Sequence, residues 1–150
     1  MRSILVILHR WFGLFMAVFL FISGTTGAII SWDHELDEWL NPHLFHSAST
    51  GEPQASLALA AQLEAHDPRL QVTFLPLTLE PGHALTLSVK PRLNPETGKL
   101  HELDFNQVAM DPVTGAIQGK RMWGEVSLAR ENLLPFLYKL HYSMHIPDGF

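Results

Sequence analysis

The sequence predicts an α+β membrane protein with an amino-terminal transmembrane helix. A short helix and an antiparallel meander follow outside the membrane, and a closing helix leads towards a further membrane helix. Three observations carry this prediction. Charged residues make up only 17% of the 150-residue chain and hydrophobic residues 47%, whereas a soluble domain carries roughly 25% charge. Residues 11–32, WFGLFMAVFLFISGTTGAIISW, contain no charged side chain. As a helix they extend roughly 33 Å, enough to cross a bilayer. Beyond them, helical and strand periodicities alternate between turns rich in Pro, Gly, Asn and Asp.

The uncharged run is too long for the apolar core of a secretory signal and is not followed by an A-x-A-like cleavage site, so it reads as a retained anchor. Arg2 and Arg10 precede it, and Asp33, Glu35, Asp37 and Glu38 follow it. The positive-inside rule therefore places the amino terminus in the cytoplasm and the rest of the chain on the far side. Trp11, Trp32 and Trp39 fall where indoles favour the headgroup layer.

After the span, SWDHELDEWL keeps helical spacing until Asn41-Pro42 stops it, because a residue preceding proline avoids the helical region. Residues 47–54 read as a linker, and Ala55 to Ala65 as a helix closed by Asp67-Pro68. Strands are expected over Val72 to Leu79, Ala84 to Val89 and Leu100 to Met110, where apolar and polar residues alternate in whole or part. Turns at Pro81-Gly82, Asn94 to Gly98 and Asp111 to Gly115 separate them. The pattern Asp-Pro-x-Thr-Gly predicts a positive φ at Gly115. Leu128 to His145 returns to helical spacing despite Pro135, and Pro147-Asp148-Gly149 ends it.

Several function classes are excluded. The absence of cysteine removes disulfides, thiolate zinc sites, iron–sulfur clusters and cysteine nucleophiles together. A net charge of -5 without any basic patch argues against nucleic acid as a partner. No catalytic triad, phosphate-cradling glycine loop or HExxH zinc motif is present.

Three segments, LHRWFGLFMAVFLFISGTTGAIISWDHELDEWLNP, VAMDPVTGAIQG and LHYSMHIPDGF, resemble the PepSY-associated transmembrane family of bacterial inner-membrane proteins, some of which are haem-containing ferric-siderophore reductases. The resemblance implies a division into a cytoplasmic tip and transmembrane helix (1–32), a periplasmic helix extension and linker (33–54), a PepSY-like module (55–126), and a helix (127–150) leading to a second membrane helix. It also implies that the chain is an amino-terminal portion whose remaining helices belong to the same or a partner chain. Function then follows as an expectation: haem-dependent electron transfer that reduces a ferric siderophore, with haem b as cofactor and an unspecified electron donor. A non-enzymatic PepSY binding or regulatory module on a membrane anchor is the alternative.

Nine histidines supply the candidate ligands. His9 stands about one turn before the uncharged span and is expected to hold a haem iron, as is His141; His34 and His145 complete the cofactor-binding set. On one continuous helix His9 and His34 would be roughly 37 Å apart, too far to share a haem. His141 and His145, four apart, would share one helix face and could not flank a single porphyrin. His43, His46, His66, His83 and His101 are expected to be solvated surface residues, and the acidic run Asp33 to Glu38 a solvated helix end. Plain helix packing is as good an account of Gly13, Gly24 and Gly27 as close approach of a macrocycle.

Overall fold

A computed structural model describes residues 2–146; the expected helix stop at Pro147-Asp148-Gly149 lies outside the described residues. Helix α1 (Arg2–Ile30) is a single 29-residue helix, roughly 43 Å long. It begins well before the uncharged run, because Ile4 to Leu8 continue its apolar surface. Apart from Thr26 none of its residues is buried. Phe12, Phe15, Phe19 and Phe21 all stand exposed, and an all-round apolar surface of this kind needs lipid or other helices around it.

A turn at Ser31–Trp32 leads into α2 (Asp33–Leu40), and Asn41 separates it from the single-turn α3 (Pro42–Phe45). Proline at the first position of α3 fits because that N–H has no intrahelical acceptor. Helix α4 (Ser56–His66) agrees with expectation to within a residue.

Strands β1 (Leu70–Phe74), β2 (Leu85–Pro91), β3 (Gln107–Met110) and β4 (Ile117–Arg121) form one antiparallel sheet in sequence order. The meander is thus as expected, although two strands are shorter. β1 stops at Phe74, just before the pre-proline residue Leu75 and Pro76, which lacks a ladder donor. Residues 100–106 carry the apolar alternation, and Phe105 is buried in the core, yet the continuous ladder with β2 covers only residues 107–110; before it Leu100 makes an isolated bridge with Leu93, and the Asn106 carbonyl accepts from the Val89 N–H. Alternation reports which face a side chain takes; it does not guarantee a continuous ladder.

Period-two alternation divides the sheet faces. Leu85, Leu87 and Val89 of β2, with Val108 and Met110 of β3, pack against Leu59 and Leu63 of α4. On the opposite face Ala84 and Ala109 pack against Leu44 of α3. The segment 47–54 is tied to the turn that follows β3. The hydroxyls of Ser47 and Ser49 donate to Asp111 at 2.8 and 2.6 Å, and the Gln54 N–H donates to the Pro112 carbonyl.

The closing helix is shorter than its periodicity suggests. A 3-10 turn at Arg130–Asn132 precedes α5 (Leu133–Ser143), which places Pro135 in the first turn, where a missing N–H costs nothing. The chain then turns left-handed at Met144 and His145, with φ of 51° and 55°.

Candidate functional site

Ser23, Thr26 and Gly27 recur at three- and four-residue spacing and so share one face of α1. Helix α5 packs on that face and presents His141 to it. The Thr26 hydroxyl donates to the Ile22 carbonyl at 2.8 Å, an ordinary bond within a helix. The Nδ1 of His141 lies 3.0 Å from the Ser23 carbonyl oxygen and 3.2 Å from the Thr26 hydroxyl. A carbonyl oxygen can only accept, so Nδ1 carries the proton, and in the neutral ring the lone pair belongs to Nε2.

Gly27 is what permits the approach: a Cβ there would lie 2.9 Å from His141 Cε1. At Gly13 and Gly24 a Cβ would meet nothing within 4 Å. Close packing within the described residues therefore explains Gly27 and leaves the other two without a neighbour.

The four expected cofactor residues do not gather at one point. His9 is exposed on α1, roughly 21–27 Å along the helix axis from the His141 contacts at Ser23 to Gly27. His34 is exposed near the start of α2 and meets the Phe45 ring edge-on at 5.5 Å. The shared helix face expected for His141 and His145 is corrected by the end of α5 at Ser143. His145 leaves the helix, folds back and donates from Nε2 to the Phe136 carbonyl at 2.9 Å, its ring stacked on Phe136. Its Nδ1 is then the nitrogen with the lone pair.

Within this seam His141 is the residue that could hold the haem group implied by the resemblance, through Nε2. An imidazole with Nδ1–H bonded to a backbone carbonyl and Nε2 left as the donor is how metal-bound histidines are commonly oriented. Nothing else in the α1–α5 seam competes for that nitrogen among the described hydrogen bonds.

A family model described as PepSY-associated TM region matches residues 6–150. The chain belongs to that family. No curated protein matches it. As a PepSY-associated chain with, among the described residues, one helix long and apolar enough to cross a membrane, it is a membrane-associated PepSY module.

One expectation about polar residues needs correction. The acidic run is not uniformly solvated: Asp37 is buried against Arg121 of β4 at 2.6 Å. His46 is exposed, as expected, and His83 is half-buried; both reach the Glu38 carboxylate, at 3.1 and 3.5 Å. The signal available in the sequence was weak, because the two histidines lie 37 residues apart. They meet only when residue 46 pairs with residue 83 in an antiparallel bridge.

Proposed function

We propose that this chain is the amino-terminal part of an inner-membrane, haem-dependent electron-transfer protein that reduces ferric siderophores on the periplasmic side and so releases ferrous iron. The observation that carries the reading is the His141 Nδ1 contact with the Ser23 carbonyl at 3.0 Å, which leaves Nε2 as a ligand on a membrane-associated helix pair. Haem b, when bound, supplies a one-electron carrier whose potential depends on its axial ligands and surroundings. Reduction frees iron because the ferrous ion binds hard oxygen chelators more weakly than the ferric ion.

The chain's own residues then divide the work. Ser23 holds the His141 ring in one tautomer, and Gly27 gives it room to lie against α1. His9, roughly 21–27 Å away along α1, serves a second cofactor rather than the same one. Partner ligands come from further transmembrane helices of the same or a partner chain. An open groove of about 950 Å³ bordered by Lys90, His101, Phe105 and Trp123 lies on the PepSY module and has the size of a small-molecule site.

The test is absorbance of the protein, expressed with its complete reading frame and purified in detergent. A reducible Soret band is expected. His141→Ala should remove one spectral component and His9→Ala another, with His145→Ala shifting a potential at most. Gly27→Val, which displaces the His141 ring, should reproduce the His141→Ala spectrum. Colourless protein, or unchanged haem content in both His9→Ala and His141→Ala, overturns the reading in favour of a cofactor-free PepSY binding module.

A further inference from the structure

We infer that Glu38, His46 and His83 form a binding site for a divalent transition-metal ion, separate from the histidines of the α1–α5 seam. Glu38 Oε1 lies 3.1 Å from His46 Nε2 and 3.5 Å from His83 Nε2. The three donor atoms all fall within 4.8 Å of one another. Ligands roughly 2.0–2.2 Å from a tetrahedral zinc-type ion stand roughly 3.3–3.6 Å apart, so these side chains need only small shifts to share one ion.

The scaffold holds the donors from three directions. Glu38 comes from α2, whose neighbouring residue Asp37 is locked to Arg121. His46 follows α3, and His83 precedes β2. The two histidines face each other across an antiparallel bridge, closed by the Ser47 N–H on the Gly82 carbonyl at 2.8 Å and the Ala84 N–H on the Phe45 carbonyl at 2.7 Å. Their backbones are therefore fixed before any ion arrives, which lowers the ordering cost of binding.

A second observation points the same way. His83 Nδ1 is buried and has no hydrogen-bond partner, while the Glu80 carboxylate stands 3.8 Å from it. When Nε2 of a histidine binds a metal, Nδ1 carries the proton and is usually held by a carboxylate or carbonyl. Glu80, largely exposed and free to rotate, is placed to accept it.

The donor set selects the ion. Two imidazoles and one carboxylate suit zinc, ferrous iron, cobalt or nickel, whereas calcium and magnesium demand more oxygen ligands. Side-chain exposures of 25% for Glu38 and 50% for His46 leave the remaining coordination positions open to water. The site is thus an exchangeable one with room for a further ligand, unlike a closed structural zinc.

Untagged full chain in detergent, stripped with chelator, is titrated with Zn2+ by calorimetry and with Co2+ by visible absorbance. One ion per chain is expected, with Co2+ bands of an imidazole–carboxylate site. His46→Ala, His83→Ala and Glu38→Gln should each weaken binding at least roughly tenfold, and Glu80→Gln less. His66→Ala should change nothing. Zn2+ should raise the melting temperature of the wild type and not of His46→Ala/His83→Ala, whose metal-free melting should match the wild type. Equal affinity in the wild type and the double variant, or no binding to the wild type, overturns the proposal.

Discussion

The guanidinium of Arg121 and the carboxylate of Asp37 meet at 2.6 Å with side-chain exposures of 7% and 8%, joining the helix that leaves the membrane segment to the last strand of the sheet. Both groups are further satisfied. Arg121 donates to Gln107 Oε1 at 2.6 Å and to the Glu131 carbonyl at 3.1 Å, and Asn41 donates to Asp37 at 2.7 Å. One contact thus ties α2, β3, β4 and the approach to α5 together.

Removing one partner leaves the other charge buried and unpaired. Asp37→Asn or Arg121→Met should cost about 3–5 kcal/mol, read by denaturant titration in mild detergent. Asp37→Asn combined with Arg121→Met should cost less than the two single losses added together. Strict additivity would show that the two groups do not act as a pair.

Gly115 has φ of +75°, and a Cβ there would lie 2.5 Å from the Gln62 side-chain oxygen. The Gln62 end can move aside, so the lasting penalty is the backbone conformation. Gly115→Val should cost on the order of 1 kcal/mol or more, and Gly115→Asn less, since asparagine tolerates this region. Equal melting temperatures for the wild type and Gly115→Val would contradict this.

Burial by itself would raise the carboxyl of Asp111. The Ser49 hydroxyl, the Thr114 N–H, the Ser47 hydroxyl and the Val113 N–H together outweigh it and hold the group well below the usual carboxylate range. Its folded value is depressed, so its stabilisation is complete above the unfolded value of about 4 and is lost as pH falls towards the folded value. Asp111→Asn should lower stability by about 1 kcal/mol or more at neutral pH, with the gap from wild type narrowing below about pH 4. Asp67, held at about 2 by the Arg69 side chain, follows the same sign. Arg69 is exposed, so water screens the pair and its share should be small.

Arg2 and Arg10 before the span and the acids from Asp33 to Glu38 after it predict that the chain from Asp33 through the PepSY module is periplasmic. An alkaline phosphatase fusion near Gly51 should be active. A silent fusion there, with an active cytoplasmic reporter at the same position, would reverse the orientation.

The elements most legible from residues alone were those set by local rules. An uncharged run longer than a bilayer requires a helix that satisfies its own backbone, and α1 is that helix. The Asp111–Gly115 turn follows from side-chain acceptors and a glycine within five consecutive positions, and Gly115 has the expected positive φ. Polar environments could not be read this way, because burial depends on what comes from elsewhere. Asp37 and Glu38 are adjacent and chemically alike, yet one points at an arginine 84 positions away and the other at histidines 8 and 45 positions on. Helical geometry turns successive residues to different faces, and the sheet decides what each face meets. His141 and His145 diverge for a related reason: their spacing promised one helix face, but the left-handed turn at Met144 sends one ring back onto its own helix while the other faces α1.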